Sequence, residues 1–275
     1  VNDNDIYNPT EDGITILWGV LVTARIRNLT VNNNNVYSPG EKGIYVNAQI
    51  GLSTSNWTNS PENVCLQSAT FNGNTVHNSV QSGIVVSATS GALDGIAISG
   101  NSIVDYNTDN NVSTTPGVRS GILVRNGAFL STGPIRNVTV ADNSIVSRFG
   151  GAIGIGFQFV NALVGTDMWN ITISGNNLAF DPTVASTVGL YCDSAVSTDQ
   201  EQWAITGNNI RGPRFFHDDG TNAGPSGASS FAGSRSMVYA NTGRAGNGAG
   251  FTTGGWVALI AALFPATTNT TPNQN

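Results

Sequence analysis

The chain has 275 residues, with 11 Lys or Arg against 17 Asp or Glu and a net charge of −6, which argues against a nucleic-acid backbone as partner because phosphate binding needs clustered cations. No apolar run approaches the ~18 residues that cross a bilayer; the longest runs from Trp256 to Phe264, so membrane insertion is not expected. Charged residues make up only 10% of the chain while Asn, Gly, Ser and Thr abound, so neutral hydrogen-bonding groups must wet the surface, a composition suited to meeting sugars.

From the first residue onward one local setting recurs, apolar-x-x-Asn-x-apolar. It reads Val1-Asn4-Ile6, Val31-Asn34-Val36, Phe71-Asn74-Val76, Ile98-Asn101-Ile103, Val140-Asn143-Ile145, Ile173-Asn176-Leu178 and Ile205-Asn208-Ile210, with a degraded copy at Val238-Asn241. Successive Asn positions differ by 30, 40, 27, 42, 33, 32 and 33 residues, the spacing of a stacked-repeat architecture. A solenoid grows by adding coils, so this length predicts one elongated domain. Val1 falls in mid-repeat, where a bare coil end would expose strand edges, so a preceding segment is expected.

After each Asn comes a second signature: Gly13-Ile14-Thr15-Ile16, Gly43-Ile44-Tyr45-Val46, Gly83-Ile84-Val85-Val86 and Gly121-Ile122-Leu123-Val124, then Ala152-Ile153-Gly154-Ile155 and Gly189-Leu190-Tyr191-Cys192. Alternating apolar residues over four positions predict a short strand with one face inward. Leu29-Thr30-Val31, Ile96-Ala97-Ile98, Val138-Thr139-Val140 and Ile171-Thr172-Ile173, each just before an Asn, bring the count to three strands per repeat. The Asn sits in the tight turn between the second and third. It is expected to take the left-handed backbone there and to hydrogen-bond its own kind in the coils above and below. Cys65 and Cys192 lie about three coils apart, hence ~14 Å at strand spacing, too far for a disulfide. Both are expected to be free thiols.

Three short strands per coil, a tight Asn-bearing turn and variable loops at the other corners resemble the right-handed parallel β-helix of pectin-lyase-like proteins, including bacteriophage tailspikes. The fold class expected is therefore all-β, a β-helix of about eight coils over residues 1–250. Residues 251–275 would form a C-terminal cap or linker and a flexible polar tail. The resemblance also implies a virion-tail or extracellular setting, a homotrimer, and bacterial surface polysaccharide as partner. It implies no cofactor.

In stacked coils, equivalent positions form columns roughly 5 Å apart, and these replace linear motifs as candidate sites. One column follows the Gly-Ile strand: Leu17, Asn47, Ser87, Arg125, Gly156, Asp193 and Asp218, with Asp219, His217 and Arg214 alongside. Paired carboxylates there would suit a glycosidase, one of them made more basic by the other. The Asn-Thr-Asp and Gly-His-Gly motifs of pectin-degrading hydrolases are absent. A second column, Glu11, Glu41, Gln81 and Arg119, offers another acid pair, which Lys42 is placed to neutralise. A third, Tyr7, Tyr37 and His77, offers either aromatic faces for sugars or mutual stacking. Tyr45 and Tyr191, expected to face outward, extend the aromatic set. With two His, no paired Cys and no carboxylate-dense loop, no metal site is expected. Sequons at Asn28, Asn56, Asn111, Asn137, Asn170 and Asn269 are what this composition produces by chance.

Three functions follow: a tailspike-like protein that binds bacterial surface polysaccharide, with or without cleaving it, a secreted polysaccharide lyase or glycoside hydrolase, and a structural or adhesive spacer without chemistry. Fold alone does not choose among them.

Overall fold

The computed structural model describes residues 1–17, 25–49, 64–111, 119–126, 132–159, 168–181, 187–193, 200–211, 216–218, 237–239 and 242–244. Side chains are described for these except residues 49, 90, 132, 159, 192, 193, 200–202, 216–218, 237–239 and 242–244. Arg214, Asp219, Asn241 and the stretch 251–275 therefore lie outside the described residues.

The described residues form a right-handed parallel β-helix. Strands that follow the ladder Asn make one sheet of eight: Asp5–Tyr7, Asn35–Tyr37, Thr75–His77, Ser102–Val104, Ser144–Ser147, Asn177–Phe180, Asn209–Arg211 and Thr242–Arg244, stacked in chain order. This is the post-Asn sheet. The Gly-Ile sheet and the pre-Asn sheet are joined in the third coil, where Ile84–Ser99 runs as one strand round the corner between them. Every pairing is parallel and links one coil to the next, so each residue meets its equivalent in the neighbouring repeat.

The core follows from alternation along each strand. Val31, Phe71, Ile98, Val140, Ile173 and Ile205 stack in register on the pre-Asn sheet, and Val36, Val76, Ile103, Ile145, Leu178 and Ile210 on the post-Asn sheet. All are buried, at no more than 2% exposure. The glycine opening each Gly-Ile strand is required by this packing. A Cβ on Gly83 would sit 2.5 Å from Ile103 Cγ2 and 2.6 Å from the Gly121 carbonyl oxygen, and Gly43 and Gly121 meet Val76 and Ile145 in the same way.

The Asn ladder is continuous from Asn4 to Asn208. Each Nδ2 donates to the Oδ1 of the next coil's Asn at 2.8–2.9 Å. From Asn34 on, Nδ2 also donates to a carbonyl of the preceding coil, such as Val31 from Asn74 and Phe71 from Asn101. Each Oδ1 in turn accepts the backbone N–H of the preceding ladder residue. The expected left-handed backbone, however, falls one residue earlier, on Asp3, Asn33, Gly73, Gly100, Asp142, Gly175 and Gly207, with φ between 54° and 65°. The reversal needs a residue that tolerates positive φ, while the ladder residue must hold its amide inside the turn. The two tasks fall on neighbouring positions.

The Gly-Ile register also differs from expectation in the fifth coil. Ile122 pairs with Ile155, and Arg125 with Gln158, so the repeat there is Gly154-Ile155-Gly156-Phe157, two residues later than Ala152-Ile153 would have it. Gly156 stands opposite Leu123 instead. Cys65 is a free, buried thiol whose Sγ lies 3.2 Å from the Ala92 carbonyl oxygen. Cys192 lies on the strand Val188–Asp193.

Candidate functional site

The column along the edge of the Gly-Ile sheet is Leu17, Asn47, Ser87, Arg125, Gln158 and Asp193. Its polar members brace one another: Arg125 Nε donates to Ser87 Oγ at 3.1 Å, and Thr89 Oγ1 to Asn47 Oδ1 at 3.1 Å. Asp218 does not continue this column. It pairs with Cys192, and His217 with Tyr191, which puts Asp218 one position out of step with Asp193. The side chains of Asp193, His217 and Asp218 lie outside the described residues.

The outward row of the same sheet is Thr15, Tyr45, Val85, Leu123, Gly156 and Tyr191. Val85 and Leu123 are fully buried, and Tyr191, expected at the surface, is only 2% exposed in a small apolar cluster with Ile153 and Val188. Tyr191 is thus packed and offers no platform. Tyr45 remains half-buried, with Lys42 Nζ 4.8 Å from its ring centroid.

Glu11, Glu41 and Gln81 do form a column, through the backbone bonds Glu41 N–H to Glu11 O and Gln81 N–H to Glu41 O. Its next member is Asn107, whose N–H donates to Gln81 O. Arg119 belongs elsewhere, donating from Nη1 to Gly151 O at 2.6 Å. Lys42 Nζ reaches Glu41 Oε2 at 2.9 Å and Asp12 Oδ1 at 3.4 Å, while Thr15 Oγ1 donates to Asp12 Oδ2. This cluster ties the first two coils together.

Tyr7, Tyr37 and His77 stack in register, with centroids 5.0 and 5.2 Å apart and planes within 6° and 2°. Parallel rings at this spacing cover one another's faces. The stack therefore shows edges to solvent, and only Tyr7, 65% exposed at the end of the row, keeps an open face.

One constellation was not anticipated. On the pre-Asn sheet Arg27, Gln67, Asp94, Arg136 and Trp169 form an outward column, which Glu201 continues in backbone register. The residue after each of the first five is left-handed: Asn28, Ser68, Gly95, Asn137 and Asn170, at φ 53–71°. That kink interrupts the in-out alternation, so two consecutive side chains per coil, such as Arg136-Asn137 and Trp169-Asn170, stand outside. Arg136 Nε donates to Asp94 Oδ2 at 3.0 Å, Asn137 Nδ2 to Asp94 Oδ1 at 2.7 Å, and Asn170 Nδ2 to Asn137 Oδ1 at 2.6 Å. The Arg136 guanidinium lies 5.8 Å from the Trp169 ring centroid. The signal in the sequence was the sequon itself, because Asn28-Leu-Thr, Asn137-Val-Thr and Asn170-Ile-Thr are three uses of the same turn.

Among the described residues no three His, Cys, Asp or Glu side chains converge as a metal site would require. No protein-family model, curated protein or solved structure matches the chain.

Proposed function

We propose that this β-helix binds bacterial surface polysaccharide, working in the manner of a phage tailspike as a homotrimer on a virion tail or in another extracellular setting. The observation that supports this reading is the outer face of the pre-Asn sheet. Thr30, Thr70, Ala97, Thr139, Thr172 and Ala204 stack there in register, a row of short, largely hydroxylated side chains beside the Asp94–Arg136–Trp169 column. A rigid sheet of small polar groups bordered by fixed donors, acceptors and an aromatic ring is a surface on which a hydroxylated chain can be hydrogen-bonded without ordering the protein first.

Among the described residues the carboxylates of Asp12, Glu41, Asp94 and Asp105 are each held by a cation: Lys42 for the first two, Arg136 and Arg148 for the others. Cleavage is not assigned to Asp193 and Asp218 as a pair, because the strand register sets them one position out of step. The test is calorimetric titration with purified capsule and lipopolysaccharide polysaccharides, alongside light scattering for mass. Saturable binding by a particle of three chain masses supports the reading, and a monomer that binds none of them refutes it. Release of reducing ends that disappears in Asp193→Asn or Asp218→Asn would add depolymerase activity.

A further inference from the structure

Among the described residues four large apolar side chains are exposed: Val1, Tyr7, Leu17 and Trp169. The first three belong to the first of the described coils. Trp169 does not. It sits in mid-solenoid, with Arg136 and Glu201 as its partners in the coils on either side, and is still 37% exposed. The inward neighbours Met168 and Ile171 carry the core contacts of this strand, both fully buried.

Its surroundings are fixed in advance. Arg136 uses Nε on Asp94 and lies over one side of the indole, and among the described residues no group bonds its terminal nitrogens. Asn170 spends Nδ2 on Asn137, and among the described residues no donor reaches its Oδ1. The patch thus presents an apolar plate, unspent donors and an unspent acceptor within two adjacent coils. The cation Arg136 is offset by Asp94, on a chain whose net charge is −6.

We infer that Trp169, Arg136 and Asn170 form a glycan subsite on the pre-Asn sheet that takes a neutral sugar unit, its C–H face on the indole and its hydroxyls on the guanidinium and the amide. The aromatic ring supplies contact with the apolar face of the sugar. The preset hydrogen bonds keep the polar groups from having to be ordered on binding. Neutral sugars are selected because an acidic glycan would meet a protein of like charge and no uncompensated cation in the patch. This inference rests on the proposed polysaccharide binding and narrows it to one surface and one class of sugar.

The test is affinity electrophoresis of the full chain through gels carrying dextran, mannan, galactan or soluble chitosan-free N-acetylglucosamine polymer, against gels carrying polygalacturonate or hyaluronate. Wild type is compared with Trp169→Ala, Trp169→Phe and Arg136→Gln, each checked for an unchanged melting temperature. Retardation by a neutral polymer that weakens about tenfold or more in Trp169→Ala and is largely kept in Trp169→Phe supports the subsite. Neutral-glycan binding that both Trp169→Ala and Arg136→Gln leave intact overturns the subsite while the polysaccharide reading stands. Binding confined to the acidic polymers overturns the neutral assignment. Retardation by no polymer in these gels, nor by the purified bacterial polysaccharides, overturns both.

Discussion

Replacing Asn101 with Ala removes the middle of the ladder, and the structure says which groups are left behind. Asn101 Oδ1 accepts both the backbone N–H and the Nδ2 of Asn74, each at 2.9 Å. Its own Nδ2 donates to Asn143 Oδ1, Phe71 O and Ser99 O. Asn74 is fully buried, so neither stranded donor can turn to water. An unsatisfied buried polar group costs about 1–3 kcal/mol, which puts two of them at roughly 2–6 kcal/mol. For a chain of this size that is a fall in melting temperature on the order of 10 °C. The control is Asn4→Ala, because Asn4 is exposed and, among the described residues, joins the ladder through Asn34 alone; its loss should be under about 1 kcal/mol. The double variant Asn74→Ala/Asn101→Ala should cost less than the sum of the singles, since it removes the Asn74 amide that Asn101→Ala strands. Thermal and urea denaturation followed by circular dichroism measure all four. If Asn101→Ala proves no more costly than Asn4→Ala, the ladder is decoration and the argument from buried donors is falsified.

Gly83→Ala should destabilise by about 1–3 kcal/mol or more through overpacking, because the second obstacle is the Gly121 carbonyl oxygen, backbone that cannot change rotamer; an unchanged melting temperature would refute this. Burial pushes the Cys65 thiol from its usual 9.0 up to about 12, so Cys65 should resist thiol reagents at pH 8 until the protein unfolds. The stability linked to that shift is fully present below pH 9 and is lost as pH rises from 9 towards 12, where the unfolded thiol ionises and the folded one does not, at about 1.4 kcal/mol per pH unit. Tyr106, also raised by burial and donating its hydroxyl to Ile153 O, acts in the same direction. Urea midpoints at pH 8 and 10.5 should therefore fall less in Cys65→Ala than in wild type, and equal falls would count against the linkage. Tyr37→Ala removes the shared member of two stacked contacts and should cost about 1–2 kcal/mol, whereas a purely ligand-directed Tyr37 would leave the melting temperature where it was.

The β-helix was legible because its two requirements are local. The ladder needs Asn at one point per coil, and the corner needs Gly where Ile or Val from the post-Asn sheet presses on the backbone, so both recur in the sequence itself. The ladder also fixed the Tyr7–Tyr37–His77 and Glu11–Glu41–Gln81 columns correctly, since few residues separate them from the Asn. Register was lost where distance from the ladder grew. Ala152-Ile153 imitates the Gly-Ile signature two residues early, and that slip put Gly156 where Gln158 stands. In the same way Asp218 was aligned with Asp193 although it pairs with Cys192. A one-residue shift moves a strand's side chains to the other face, so a catalytic pair cannot be read from a column whose register is off by one. Tyr191 failed for a different reason. Alternation says which face a side chain points to and not whether that face is covered.

The Trp169 patch was hidden by the feature that builds it. Period-two reasoning assigns Arg136 and Asn137, or Trp169 and Asn170, to opposite faces, and it holds only while every residue is extended. A left-handed residue in each coil cancels one alternation, so both side chains emerge on the outside and the strand then resumes its inward beat at Val138 and Ile171, which are fully buried. The consequence is chemical as well as geometric. One flat strand face gives a ligand a single outward side chain for every two residues, whereas the kinked strand gives two in succession, enough to set Trp169 beside Asn170 on one coil and Arg136 beside Asn137 on the next. Because Asn tolerates positive φ better than other side-chain-bearing residues, the residue that makes the kink also brings an amide to the surface. The same position held by Ser68 or Gly95 keeps the kink without the amide, so it is the choice of Asn at 137 and 170 that adds hydrogen-bonding amides to a backbone solution.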